Sequence, residues 1–315
     1  MSHKARPQYS GAVHVLLGLL FLLAQQSAAA GKPRMNLEPL HNAIKSFDGV
    51  AGLAARDLIT GEEIFINADE RFPTASVIKT AVMVEAYYQS AAGHLSLDTT
   101  IPLRDSDKVG GSGVLNGLSS GASLPVRDLI HLMIVVSDNT ATNLLVDRLG
   151  TKNVDARLVA LGFERTKLFR PTFRDGKPDI FPELEKEFGL GMSTPREMAK
   201  LMELIATGGA VDKTASAAML NTLRNQQDRA MIPRLLPGNA QVGNKTGTDS
   251  EKLADERGRR GAIRADAGIV TGDGVRYAIA VFTRRGGDTR GGVDNAGVLL
   301  GAQLSRMVYE QFTRK

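Results

Sequence analysis

Residues 263–283 decide the fold, and they run IRADAGIVTGDGVRYAIAVFT. Residues 263–271 and 277–283 are rich in β-branched and aromatic side chains, which favour strands. Gly272-Asp273-Gly274 between them is a strong turn signal. We therefore predict two neighbouring strands here, and residues 241–246 form a third predicted strand just before them.

Two further strands are predicted near the other end of the chain. They cover residues 49–59 and 62–67, on either side of the turn pair Thr60-Gly61. A short helix is predicted over 36–47 and a long amphipathic helix over 293–313. The apolar members of the long helix are Val293, Leu299, Leu300, Leu304, Val308 and Phe312. Strands at both ends predict an antiparallel sheet of about five strands, covered by these terminal helices.

The middle of the chain is helical. Helices are predicted over 76–92, 125–136, 140–149, 153–161, 195–206, 213–224 and 229–236, with Thr194 capping the fifth of these. Residues 105–123 and 162–194 are predicted loops, because Gly, Ser and Pro interrupt every pattern there. We therefore predict an α/β fold class, and more specifically an α+β one. It has an α/β subdomain from 31–72 and 213–315 and an inserted all-α subdomain over 73–212.

The first thirty residues predict a secretory signal peptide. Lys4 and Arg6 precede an apolar run over 11–24, and small residues follow up to Ala30. The run is shorter than the roughly 20 residues that cross a bilayer. We expect cleavage after Ala30, and the alternative is an uncleaved N-terminal anchor.

Composition excludes several classes of protein. The chain has 315 residues, of which 43% are hydrophobic and 23% charged, which argues against intrinsic disorder and a multi-span membrane protein. It contains no cysteine, which excludes disulfide scaffolds, thiolate metal sites and cysteine nucleophiles. Its five histidines share no metal-ligand spacing, which argues against a histidine-based metal site, and no feature of the sequence implies a metal or an organic cofactor. The net charge of +5 does not by itself imply nucleic acid, and the short cluster Arg257-Gly258-Arg259-Arg260 is better explained as a solvated loop.

A serine and a lysine can supply the nucleophile that a hydrolase without cysteine needs. Ser76-Val77-Ile78-Lys79 places Lys79 three residues after Ser76 at the start of a predicted helix, so the two side chains share one face. The helix N-terminus also favours developing negative charge. Taken alone, the same spacing is expected by chance, as a helix cap followed by a solvated lysine.

Two further motifs lie downstream. Ser137-Asp138-Asn139 follows the apolar helix over 125–136, where a plain helix-end turn would have the same composition. Lys245-Thr246-Gly247-Thr248 lies on a predicted strand that ends in a glycine turn. A free backbone N–H at such a strand end can donate to a carbonyl oxygen.

In this order the three motifs resemble the S-x-x-K, S-D-N and K-T-G set of penicillin-recognising serine enzymes. The resemblance covers essentially all of residues 31–315 and is closest to the class A β-lactamases. It implies that Ser76 is the nucleophile, that Lys79 activates it, and that Ser137 passes a proton to the leaving nitrogen.

The resemblance also implies a set of substrate-binding residues. Asn139 would donate to the substrate amide side chain, and Lys245 and Thr246 would hold the substrate carboxylate. The backbone N–H groups of Ser76 and Thr248, which Gly247 precedes, would form the oxyanion hole. Arg264 on the next strand stands where several class A enzymes keep a carboxylate-binding arginine, and a surface arginine is the alternative.

One part of the family pattern is absent. Class A enzymes carry R-x-E-x-x-L-N on a long loop, and its glutamate activates the deacylating water. Here Arg170 matches the arginine, but Thr172 occupies the glutamate position. Glu183, Glu185 and Glu187 follow later, either as a displaced replacement or as solvated acids. Fast hydrolysis needs a base for the water, so this departure favours a persistent acyl-enzyme.

Three hypotheses follow from these residues. The first is a secreted serine β-lactamase that acts as a monomer on small-molecule β-lactams, without nucleic acid and without a membrane span after signal cleavage. The second is a related D-Ala-D-Ala peptidase or esterase. The third is a covalent penicillin binder that deacylates slowly.

Overall fold

A five-stranded antiparallel sheet forms the centre of the computed structural model, which describes residues 1–3, 35–174 and 176–314. The strands are β1 (Val50–Asp57), β2 (Glu63–Ile66), β3 (Phe72–Pro73), β4 (Thr100–Pro102), β5 (Ser123–Pro125), β6 (Lys167–Leu168), β7 (Gly191–Ser193), β8 (Gln241–Ser250), β9 (Ala262–Gly272) and β10 (Val275–Gly286). The central sheet has the order β2-β1-β10-β9-β8. The predicted antiparallel sheet of five strands, built from both ends of the chain, is confirmed.

Helices surround the sheet. They are α1 (Glu38–Lys45), α2 (Lys79–Ala91), α3 (Val126–Val135), α4 (Asn139–Leu149), α5 (Thr151–Ala160), α6 (Pro182–Phe188), α7 (Pro195–Thr207), α8 (Lys213–Arg224) and α9 (Ala296–Phe312). Short 3₁₀ segments occur at Ala75–Ile78, Asp105–Asp107 and Leu115–Gly117. The small strands pair separately, in the orders β3-β7-β6 and β4-β5.

The side-chain alternation of β10 shows how the two faces of the sheet are covered. Ala278, Ala280 and Phe282 belong to the large apolar cluster that contains the buried residues of α2, α3, α4 and α7. Tyr277 points the other way, and its ring packs against Phe312 of α9 with centroids 5.2 Å apart. Helices therefore cover both faces, which explains why β9 and β10 are buried almost throughout.

Residues Asn36–Thr313 form one unit, and Met1–Met35 with Arg314–Lys315 are grouped apart from it. Of that second group, residues 1–3, 35 and 314 are described, and none of these lies in a helix or strand. The signal peptide predicted over 1–30 lies outside the described residues beyond residue 3. In the described part of the chain, no helix is both long and apolar enough to cross a bilayer.

Three sequence predictions are corrected by the structure. Residues 229–236 form turns instead of a helix, because Pro233 has no N–H to donate and Ile232 N–H donates to the Asp266 carboxylate at 2.9 Å. The segment 162–194 is not structureless, since it contains β6, α6 and β7. Val293 precedes α9 and is 56% exposed, so it is not part of the apolar face of that helix.

We predict that α9 stabilises the unit through one face. Leu304 is fully buried, whereas Leu299 on the same helix is 36% exposed. Leu304→Ala leaves a cavity and should lower the free energy of unfolding by about 2–5 kcal/mol. The matched change Leu299→Ala should cost less than about 1 kcal/mol. Urea unfolding measures both, and equal losses would contradict this packing.

Candidate active site

Ser76 lies in the 3₁₀ segment Ala75–Ile78, directly before α2. Its side chain is half-buried, whereas Val77, Ile78 and Lys79 are buried. Ala75 has φ of 43°, a left-handed conformation that a residue with a Cβ rarely adopts. Such strain is characteristic of functional sites, and here it presents the Ser76 hydroxyl at the edge of a cleft.

Lys79, the first residue of α2, is fully buried. Its Nζ donates to Ser137 O at 2.7 Å and to Asn139 Oδ1 at 2.8 Å, and it lies 3.2 Å from Ser137 Oγ. Among the described residues, the hydrogen bonds of Lys79 thus run to the second motif, and none runs to Ser76. The predicted contact between Lys79 and the Ser76 hydroxyl stays a prediction.

Lys245 on β8 approaches the same serine from the other side. Its Nζ donates to Ser137 Oγ at 3.1 Å and to Thr246 O at 2.7 Å, and its side chain is fully buried. The Ser137 hydroxyl therefore lies between two lysine amines. Two cations brought this close repel each other in a poorly solvated site.

The electrostatics of the two lysines follow from burial. Burial lowers the pKa of Lys79 well below its ordinary value, and the nearby Lys245 lowers it further. Burial also lowers the pKa of Lys245 to about 8, although Asp266 and Asp228 act in the opposite direction. A neutral Lys79 amine can donate to Ser137 O and Asn139 Oδ1 and accept from the Ser137 hydroxyl. The lowered pKa of Lys79 favours its neutral form relative to an exposed lysine, which suits this amine to act as a base beside Lys245.

The turn that carries Ser137 is held by its neighbour Asp138. Ser137 has φ of 56°, the second strained position beside the site. Asp138 caps α4 by accepting from Ala141 N–H at 2.8 Å. Its other oxygen accepts from the N–H groups of Val114 and Leu115 at 2.6 and 2.9 Å. This buried carboxylate therefore fixes the strained turn to the loop before β5.

Asn139 is held by the same loop. Its amide Nδ2 donates to Gly110 O at 2.9 Å, and its N–H donates to Ser112 O at 3.0 Å. Gly111 has φ of +84°, and a Cβ there would lie 2.5 Å from Asn139 Nδ2. The glycine-rich sequence of this loop is thus required for its close approach to the second motif.

The third motif lies on β8, the edge strand of the sheet beside the cleft. A Cβ at Gly247 would lie 2.6 Å from Thr74 O and 3.0 Å from Ser76 N, so only glycine allows β8 to pack so closely on the 3₁₀ segment. The carbonyl of Thr246 accepts from Lys245 on the cleft side. Because strand positions alternate, Thr248 presents its backbone groups to that same side.

Arg264 on β9 is buried and pairs in register with Thr248. Its guanidinium donates to the carbonyl oxygens of Asp249, Ile263 and Arg290 at 3.2, 2.8 and 2.8 Å. Burial lowers the pKa of Arg264. Arg264 is therefore not a surface arginine. Its binding of a substrate carboxylate stays a prediction.

A cavity of about 390 Å³ opens beside Ser76. The loop before α6 forms one wall, and Thr172 is clamped there by Asn143 of α4. Thr172 N–H donates to Asn143 Oδ1, and Asn143 Nδ2 donates to Thr172 O, both at 2.8 Å. Thr172 is thus fixed in the cavity wall at the place where the family pattern has a carboxylate.

The three later glutamates are engaged elsewhere. Glu185 pairs with Arg170 at 2.8 Å in a largely buried bridge. Glu183 pairs with Lys186 on the surface, and Glu187 pairs with Arg284. Among the described residues that line the cavity, Asp249 is the one carboxylate. The structure therefore brings none of the three glutamates to Ser76.

Asn143 and its two hydrogen bonds to the Thr172 backbone were not predicted from the sequence. A signal was present, because Asn143 follows Asn139 by four residues and so lies on the same side of α4, one turn later. The assembled site joins the half-buried Ser76, a buried lysine amine whose pKa is lowered, a second buried lysine and edge-strand N–H groups. This arrangement suits acyl transfer to Ser76 from a substrate that carries a negative charge.

Comparisons with known proteins give one family for the chain. The family model described as "Beta-lactamase enzyme family" matches residues 38–312. Beta-lactamase L2 of Stenotrophomonas maltophilia is 28% identical over 219 residues, which cover 67% of this chain and 68% of that protein. A beta-lactamase structure from Sphaerobacter thermophilus is 30% identical with a TM-score of 0.74, covering 88% of this chain and 97% of that one. A mutant of PBP-A, solved as an acyl-enzyme complex with penicillin G, is 26% identical with a TM-score of 0.73, covering 87% and 94%.

We predict that the Arg170–Glu185 pair holds the cleft loop in place. The two side chains are 9% and 11% exposed, so Arg170→Met leaves a buried, unpaired carboxylate. The free energy of unfolding should fall by about 3–5 kcal/mol. Adding Glu185→Gln removes the stranded charge and should restore part of the loss. Urea unfolding of the single and double variants measures this, and a double variant no more stable than Arg170→Met would contradict it.

Proposed function

We propose, since the chain belongs to the beta-lactamase enzyme family, that it is a secreted serine hydrolase that opens β-lactam rings through an acyl-enzyme on Ser76. The observation that carries this proposal is the meeting of Lys79 and Lys245 at the Ser137 hydroxyl, at distances of 3.2 and 3.1 Å. Through these two contacts, residues from all three motifs form one network for proton transfer beside the half-buried Ser76.

Acylation uses each part of this network. The substrate carboxylate binds at Lys245 and Thr246, and the β-lactam carbonyl oxygen accepts from the N–H groups of Ser76 and Thr248. Neutral Lys79 takes the Ser76 proton as Oγ attacks the carbonyl carbon. The C–N bond of the ring then breaks, and Ser137 passes a proton to the leaving nitrogen while it regains one from Lys79. Preorganised donors of this kind typically contribute ~10²–10³ in rate each.

We expect deacylation to be the slower of the two steps of the cycle. Water must attack the Ser76 ester, and a positioned base usually contributes ~10²–10⁴ to such a step. Thr172 has no carboxylate, and Glu183, Glu185 and Glu187 are paired away from the cavity. We infer that acylation outruns hydrolysis and that the acyl-enzyme accumulates.

The same observation at Thr172 favours a second candidate, a slowly deacylating penicillin-binding protein or D-Ala-D-Ala peptidase. The mutant of PBP-A in its acyl-enzyme complex with penicillin G shows that a protein of this fold is acylated by a penicillin. Release of D-alanine from a D-Ala-D-Ala peptide, without useful turnover of β-lactams, would select this candidate.

Secretion belongs to the same proposal. Residues 1–30 have the pattern of a signal peptide, and we expect the mature chain to begin at Gly31 in the periplasm or outside the cell. The intact mass of the exported protein tests this. A mass that retains residues 1–30 would favour the uncleaved anchor instead.

We predict a burst with a chromogenic cephalosporin. Product should form rapidly to about one equivalent per enzyme and then slowly, because the acyl-enzyme accumulates. Ser76→Ala should abolish both phases. Thr172→Glu should raise the slow phase by up to ~10²-fold and leave the burst amplitude intact. Thr172→Gln, of similar size without charge, is the control, and an equal rise in both variants would contradict the role of a missing carboxylate.

We also predict an alkaline limb in the acylation rate. Lys245 holds the substrate carboxylate only while protonated, and its pKa is about 8. The second-order rate constant for acylation should therefore fall as the pH rises through about 8. Lys245→Arg keeps its charge at high pH and should move this limb upward. Stopped-flow acylation across the pH range measures it, and an unchanged limb in Lys245→Arg would show that another group titrates.

A further inference from the structure

A second cavity, of about 420 Å³, lies outside the site that contains Ser76. The two cavities share no lining residue. The chain that continues from β8 separates them, because Lys252 lines the Ser76 cavity whereas its neighbours Glu251 and Leu253 line the second one. The volume falls in the size range of small-molecule sites, and no step of acyl transfer uses this space.

The outer wall of the second cavity is the segment 251–261, which connects β8 to β9. At its tip, Asp255 Oδ1 accepts from the Arg259 N–H at 2.8 Å and Asp255 Oδ2 accepts from Arg259 Nε at 3.0 Å. At its base, the Glu251 N–H donates to Gly261 O at 2.8 Å. The segment is thus closed by hydrogen bonds at both ends, and the wall is preformed.

The inner wall is the end of β10. Arg284 and Arg285 both line the cavity, although consecutive side chains of a regular strand point to opposite faces. The register with β9 shifts between Thr283 and Gly286, and Arg285 has φ of 54°. This bulge, with its strained backbone, turns the Arg285 side chain toward the same cavity as Arg284.

Most charges around the cavity are matched. Arg284 is buried and pairs with Glu251 at 3.1 Å and with Glu187 at 3.4 Å. Arg259 pairs with Asp255 at 3.0 Å. These ion pairs hold the two walls, and Glu187 connects them to α6.

Two charges of the cavity are not matched in this way. Arg285 on the inner wall and Glu256 on the outer wall are exposed, and neither forms an ion pair with any residue that the structure describes. Leu253, which is 62% exposed, adds an apolar surface to the same space. A ligand that complements all three side chains carries an anionic group, a cationic group and an apolar group.

We propose that this cavity binds a short peptide with free termini, with its carboxylate at Arg285, its ammonium group at Glu256 and an apolar side chain on Leu253. The planar guanidinium of an arginine matches a carboxylate through two parallel hydrogen bonds. If compact, the cavity is about 7–8 Å across, and an extended chain of two or three residues spans this at about 3.3–3.6 Å per residue. The site does not depend on the proposed function.

An NMR titration of the isotope-labelled protein with the tripeptide alanyl-leucyl-alanine, at physiological ionic strength, tests the site. Arg285→Gln and Glu256→Gln should each weaken binding about two- to fivefold, as expected for exposed ion pairs. Lys252→Gln is the matched control, because it removes an exposed cation of the same segment that lines the Ser76 cavity instead. This control should leave the affinity unchanged.

Blocked forms of the same tripeptide separate the two charges. The C-terminal amide should bind more weakly to the wild type and lose its sensitivity to Arg285→Gln. The N-acetylated form should likewise lose its sensitivity to Glu256→Gln.

Two results would overturn the peptide site. One is the absence of binding to the wild type at millimolar peptide. The other is a loss of affinity in Lys252→Gln as large as in Arg285→Gln, which would place the peptide in the Ser76 cavity. Neither result involves acylation of Ser76, so the proposed function would stand in both cases.

Discussion

Two buried lysines that share one serine hydroxyl are the constraint on which the site depends. Burying an ammonium group is expensive unless acceptors replace water. Lys79 obtains them from Ser137 O and Asn139 Oδ1, and Lys245 obtains them from Ser137 Oγ and Thr246 O. These acceptors come from chain segments that are far apart in sequence, so α2, the strained turn before α4 and β8 must all be in place together. The residual cost of burial lowers the pKa of both amines, which favours a base at Lys79 beside Lys245.

The loop before α6 determines what this machinery can complete. Asn143 makes two hydrogen bonds to the backbone of Thr172, and the Arg170–Glu185 ion pair holds the same loop at Arg170. Arg170 and Thr172 are therefore held in place at the site, but the hydroxyl of Thr172 is not a base that can activate water. Attack on the substrate and release of the product thus depend on different parts of the fold. The residues for attack on the substrate match the family pattern, whereas Thr172 departs from it at the position of the glutamate that activates water.

Sequence patterns predicted the sheet, because β-branched runs and glycine turns are local signals, and Lys213–Arg224 forms a helix with the bounds that its pattern predicted. The helix predicted over 229–236 was wrong, since contacts of Ile232 with Asp266 and Ser305 are tertiary and leave no periodic trace. The motifs named residues that the structure brings together, but their hydrogen bonds could not be predicted. Lys79 contacts Ser137 and Asn139 from 58 and 60 residues away. The ion pairs of Glu185 with Arg170 and of Glu187 with Arg284 could not be predicted from local spacing either, whereas Glu183 and Lys186 are only three residues apart on α6.

The intact mass of the protein over time, after mixing with benzylpenicillin, tests most directly whether the site acylates faster than it deacylates. An adduct of one penicillin per chain should form within seconds, be absent in Ser76→Ala, and persist for minutes to hours. In Thr172→Glu the adduct should clear much faster. An adduct that clears from the wild type within seconds would contradict the account, because it would require an efficient base for water beside Thr172. The absence of any adduct would contradict the role of Ser76 itself.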